Sequence, residues 1–126
     1  ENTQAYLNVM QNELVDIIGH PDDGRFEVDY EALVKAAKAT GTLLEVNNSS
    51  LRPDGFRKDT YKNDLEMLRL CKKYDVMVTL GSDAHVDVDI ANTLYSSAVL
   101  REAEFPEELI ANTSLAKLLS VLKRNR

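Results

Sequence analysis

The sequence predicts an α/β protein built on a parallel sheet. Three observations carry that reading. Short apolar runs rich in β-branched residues alternate with longer stretches of helical periodicity, which implies parallel strands joined by helical crossovers. Polar residues able to bind ligands fall where successive strands end, the functional edge of such folds. At roughly 31 residues per β/α unit, the chain has length for about four units, half a (β/α) barrel, with a four-stranded open sheet as the alternative.

Each element has its own signal. Tyr6, Leu7, Met10 and Leu14 are spaced for a first helix over about 2–12. Val15-Asp16-Ile17-Ile18 reads as a buried strand closed by Gly19-His20-Pro21. Leu33, Val34, Ala36 and Ala37 predict a helix over 30–40 that stops at Gly41, a glycine C-cap. The second strand is 42–47, followed by a polar loop over 48–59 with Pro53 and Gly55. Leu65, Leu68 and Leu70, with Met67 and Cys71 beside them, predict a helix over about 60–74. The third strand, 76–80, runs into Gly81-Ser82-Asp83-Ala84-His85, and a helix is expected over about 88–101. Phe105-Pro106 breaks the chain, and Leu109-Ile110-Ala111 is a candidate fourth strand, very short. Thr113 or Ser114 then caps a last amphipathic helix through Leu122.

Composition narrows the function classes. With 44% hydrophobic and 29% charged residues the chain is an ordinary globular domain. It starts at Glu1, and the expectation is a piece of a longer protein or a processed form. No apolar run nears the ~20 residues of a membrane helix. The net charge of −6 disfavours nucleic acid as a partner. The lone Cys71 cannot make an internal disulfide, which agrees with a cytoplasmic protein, and its helical position suggests core. The basic run Lys123, Arg124, Arg126 reads as a cationic helix end.

The chemistry concentrates at the strand ends: His20 after the first, Asn47 and Asn48 after the second, Asp83 and His85 after the third. Asp83 and His85 are two apart, so in extended backbone they point the same way, and a carboxylate beside an imidazole suits Zn, Mn or Fe. Gly19 and Gly81 are expected to allow the tight turns there. Arg52, Arg57 and Lys58 either form a solvated surface or hold a phosphate at the rim. Asn47-Asn48-Ser49-Ser50 could equally serve its own turn, Glu45 either meets a cation or faces solvent, and Asp22 and Asp23 are expected to make a turn.

Taken together, Asp16-Ile17-Ile18-Gly19-His20-Pro21, Leu44-Glu45-Val46-Asn47-Asn48-Ser49-Ser50 and Leu80-Gly81-Ser82-Asp83-Ala84-His85 resemble the C-terminal motifs of PHP (polymerase and histidinol phosphatase) domains, in order across the whole chain. They look most like the small bacterial phosphatase-like subfamily with a trinuclear metal site. The resemblance implies that residues 1–126 are the C-terminal half of a distorted (β/α)7 TIM-like barrel. It implies a hydrolase that cleaves small phosphomonoesters with metal-activated water. His20, Asp83 and His85 would be metal ligands, with Zn foremost and Mn or Fe as alternatives, and Asn47, Asn48, Arg52 and Arg57 would give support or touch substrate.

One departure is large. The family's opening His-x-His motif is absent, and His20 and His85 are the only histidines. Three ligands cannot complete a metal cluster. The fragment alone is therefore expected to hold at most one metal weakly and to hydrolyse little or nothing. A half barrel leaves its interior face and edges open, so a homodimer or edge-paired assembly is expected. The competing readings are a non-catalytic PHP-like interaction or structural domain, and a generic α/β binding domain without metal.

Overall fold

The second helix forms where its end signals place it. In the structure, a computed structural model that describes residues 1–126, Tyr30–Thr40 is helical. The Asp29 carboxylate accepts from the Ala32 N–H at one end, and Gly41 adopts a left-handed φ of 69° at the other. This is α2. It follows α1 (Asn2–Met10) and β1 (Ile17–Ile18), and precedes β2 (Leu43–Asn47), α3 (Thr60–Tyr74), β3 (Val78–Gly81), α4 (Leu94–Glu102) and α5 (Leu115–Val121).

The three strands form one parallel sheet in the order β1-β2-β3. Ile17 pairs with Leu43, and the β2–β3 register runs from Leu44 opposite Val78 to Asn47 opposite Gly81. The pleat sends Leu44 and Val46 of β2 to one face, where they join Leu33, Val34, Leu68 and Val78 in a fully buried core. Burying each such side chain contributes about 1.5–3 kcal/mol. Glu45 and Asn47 consequently share the opposite face. Cys71 is buried in the core, as its position on α3 suggested.

The predicted fourth strand is replaced by two short 3₁₀ turns, Glu107–Leu109 and Ala111–Thr113. Only a single parallel bridge, Ile110 to Val78, remains of it. The Asn112 side chain does the rest: its Oδ1 accepts from the Leu80 N–H at 2.9 Å and its Nδ2 donates to the Leu80 carbonyl at 2.8 Å. One amide side chain thus satisfies both groups that a strand backbone would have paired. The expected helix over 88–101 also starts late, at Leu94, after a 3₁₀ turn at Asp87–Asp89. The fold is therefore α/β with a three-stranded parallel sheet and five α-helices.

The chain's end lies across the N-terminal ends of the strands. Ser114, rather than Thr113, caps α5 through the Lys117 N–H. Past α5, the buried Asp16 accepts from the Lys123 N–H at 2.6 Å and pairs with Arg124 at 2.5 Å. The buried Lys123 ammonium donates to the carbonyls of Met10 and Asn12. Lys123 thus caps the end of α1, where a cation meets the negative end of the dipole, while Arg124 pairs with Asp16 and Arg126 donates to the Gly41 carbonyl.

Candidate functional site at the C-terminal edge of the sheet

β2 sets the site, because its last residues stand between the ends of β1 and β3. Glu45 is half-buried, and its Oε2 accepts from the His20 backbone N–H at 2.8 Å and from Asn47 Nδ2 at 3.2 Å. Asn47 Nδ2 also lies 3.2 Å from Asp83 Oδ2. A continuous polar chain therefore runs from the His20 backbone through Glu45 and Asn47 to the Asp83 carboxylate. Glu45 neither meets a cation nor simply faces solvent; it ties the two neighbouring strand ends together.

The flanking glycines have a role other than the one expected. Gly19 and Gly81 do not adopt positive φ; His20 (31°) and Asp83 (53°) do. A Cβ on Gly81 would overlap Glu45 Oε1, and one on Gly19 would sit 3.5 Å from Oε2. Gly81 makes room for the Glu45 carboxylate, whereas Gly19 would tolerate a Cβ, and the strained backbone falls on two of the predicted ligands.

Asp83 is the focus of the site. Burial pushes its carboxyl pKa up, but the Asn47 amide and the Arg57 guanidinium outweigh that and hold it below the usual range, so the group is a carboxylate. Arg57, only 14% exposed, pairs with Asp83 Oδ2 at 3.4 Å and donates to Ser50 Oγ at 2.6 Å. His85 is turned to solvent, with Nδ1 2.8 Å from the Asp83 carbonyl and 4.0 Å from its carboxylate. If Nδ1 carries the proton to that carbonyl, Nε2 has a free lone pair, the arrangement usual for a metal-binding imidazole. A cavity of about 370 Å³ opens here, lined by Ser49, Arg52, Arg57, Asp83 and His85 among others.

The other predicted residues separate by role. Asn47 is buried, and its Oδ1 accepts from the Ser50 N–H while its amide reaches Glu45 and Asp83. Buried Asn48 is structural: its Oδ1 accepts from the N–H groups of Tyr95 and Ser96 in the first turn of α4. Arg52 forms exposed pairs with Asp54 and Asp89. His20 is exposed on the same edge, joined to the site through its backbone. The donor types fit a divalent ion, since Asp83 is ionised and His85 can present Nε2. Their number does not complete a site, because no three His, Cys, Asp or Glu side chains of this chain converge on one point.

Two carboxylates were not foreseen. Asp22 lies in the expected turn but is buried, and its oxygens and those of Asp64 on α3 are without hydrogen-bond partners. Burial and the nearby Asp22 and Glu45 charges push the Asp64 pKa well up, and burial raises that of Asp22 too. Nothing local announces this pairing, which joins residues 42 positions apart. Glu45 was findable, since a charged residue in a buried strand, flanked by strands that both end in glycine, signals a side chain needing space.

Among curated proteins the chain is 45% identical over 123 residues to a "Probable phosphatase" of Clostridium novyi, covering 98% of this chain and 50% of that protein. It is 40% identical over 123 residues to a "Probable phosphatase" of Caldicellulosiruptor saccharolyticus, covering 98% of this chain and 50% of that protein. A "Probable phosphatase" of Acetivibrio thermocellus is 37% identical over 126 residues, all of this chain and 51% of that protein. The relatives are named as phosphatases. The chain spans about half the length of the curated relatives it matches. No family model matches it. No helix is long and apolar enough to cross a membrane.

Proposed function

We propose that this chain is the C-terminal half of a cytoplasmic PHP-type phosphoesterase, one side of a distorted (β/α)7 barrel whose metal site it shares with the rest of a longer protein. The observation that carries the reading is the Asp83 cluster: an ionised carboxylate held by Asn47 and Arg57, beside His85, on the edge that also bears His20. Relatives named as phosphatases at 37–45% identity support it.

In this reading His20, Asp83 and His85 are ligands to divalent ions, zinc foremost with manganese or iron as alternatives. A bound ion would polarise a phosphoryl oxygen and lower the pKa of a bound water. The chain's own residues do the rest. Asn47 fixes the rotamer of Asp83, Arg57 offers a guanidinium to a phosphoryl group, and Glu45 holds the His20 loop against the end of β2. By itself the chain holds at most one ion, weakly, and hydrolyses little. The free edge of β1, with Leu14 and Ile17 exposed, favours pairing with a second copy or with the rest of a longer protein. A strictly monomeric chain in light scattering would count against the pairing of copies.

The test is hydrolysis of small phosphomonoesters, with added Zn or Mn, by the longer protein that carries this segment. His20→Ala and Asp83→Ala should each abolish turnover, and wild-type rates in either would remove the site assignment. Loss of metal binding with the fold intact but no activity in the parent would favour the second reading, a non-catalytic structural domain.

A further inference from the structure

We infer that the cavity of about 530 Å³ beside His20 takes the organic group of the phosphoester, and that this group is flat and aromatic. The inference rests on the phosphoesterase reading and deepens it. The cavity is bounded by α1, through Tyr6 and Val9, and by two loops that carry Arg25-Phe26 and Phe56-Arg57. Phe26 and Phe56 are 56% and 72% exposed, and both rings line this cavity.

The rings are ordered rather than loose. The Arg25 guanidinium lies 5.6 Å from the Phe26 centroid and 5.0 Å from that of Phe56, and Arg57 lies 5.5 Å from Phe56. Arg25 is fixed by Asp23, which accepts from its Nε at 3.0 Å and Nη2 at 2.6 Å. Asp23 also accepts from the Lys58 N–H, and the Gly24 N–H donates to the Lys58 carbonyl at 2.7 Å. The two loops are thereby locked to each other, so the walls are set before anything binds.

Position supplies the link to the reaction. Phe56 and Arg57 line both this cavity and the one that holds Asp83 and His85. A phosphoryl group at Arg57 would leave its ester substituent against the Phe56 ring. Asp23 pairs with Arg25, and Arg57, which also pairs with Asp83, is the guanidinium that lines both cavities. An apolar wall of rings with a guanidinium at one end complements a planar group joined to a phosphate, because rings gain stacking and cation–π energy that an alkyl chain does not.

Binding of phenylphosphonate and methylphosphonate to this chain, measured by calorimetry, tests the inference without turnover. The expected result is phenylphosphonate bound about tenfold tighter, a preference falling to about twofold or less in Phe56→Ala and weakened in Phe26→Ala. Methylphosphonate affinity should be unchanged in both variants, and circular dichroism should show the wild-type fold, since both side chains are largely exposed. Equal affinity for the two probes, binding of neither, or a preference that survives both substitutions would overturn the inference. The phosphoesterase reading fails separately: a parent protein that hydrolyses no ester, while the phenyl preference persists here, removes the reaction and keeps the cavity.

Discussion

The two ends of the sheet treat charge in opposite ways. At the N-terminal end every ion is matched: Asp16 has Arg124 and the Lys123 N–H, and buried Lys123 has two carbonyls. At the C-terminal end the carboxylates of Glu45 and Asp83 share one amide, only Asp83 meets a guanidinium, two residues carry positive φ, and His85 lies open to solvent. One end consolidates the fold, while the other keeps polar groups incompletely satisfied where a ligand would meet them. That division is the usual one between the stability face and the reactive face of parallel α/β proteins.

Substitutions should divide along the same line. The largest effect is expected from Asp16→Ala, which strips an acceptor from the Lys123 N–H and a partner from Arg124 and should cost about 2–4 kcal/mol in urea unfolding. A change below 1 kcal/mol would show that the tail contributes little. Next is Gly81→Ala, which forces Glu45 aside and should cost about 1–3 kcal/mol. Adding Glu45→Ala should restore part of that loss, and strictly additive energies in the double-mutant cycle would refute the overlap.

Smaller effects test the buried and strained positions. Asp64→Asn should stabilise by on the order of 1 kcal/mol at pH 8 by replacing a buried carboxyl, whose ionised form burial disfavours, with a neutral amide beside Asp22. The sign follows from the raised Asp64 pKa: its stabilising protonated form is fully present below the unfolded value and is lost as pH rises through the folded one. The gain over wild type should therefore widen with rising pH, and a constant gap between pH 5 and pH 8 would argue against a protonated Asp64. Smallest is His20→Gly, which relieves the φ of 31° and should stabilise by about 0.5–1 kcal/mol while removing a proposed ligand. Destabilisation there would mean that the imidazole holds the loop.

Where signals are local, sequence and structure agree. Gly41 ends α2 because a residue without Cβ suits left-handed φ, and the apolar runs of β2 and β3 pair as parallel strands. Disagreements arise where a distant side chain decides. The start of α4 is set by Asn48, 47 residues before Tyr95, so Val88 and Ile90 lie exposed outside the α-helix, Val88 in the 3₁₀ turn before it. At the site, the approach of Asn47 to Asp83 crosses 36 residues, and the residue types alone showed a shared rim but not that Glu45 and Asn47 tie it together. The repeat arithmetic gives about four β/α units, but only three strands form, because residues 109–111 turn into 3₁₀ structure instead of a fourth strand.

Asn112 gives the sheet an unusual border. Because an amide side chain stands in for a strand backbone at Leu80, the pairing there persists only while one rotamer does, and beyond it only the Ile110–Val78 bridge holds that border. Turning a single χ angle would free both backbone groups of Leu80, directly beside Gly81 and the approach to Asp83.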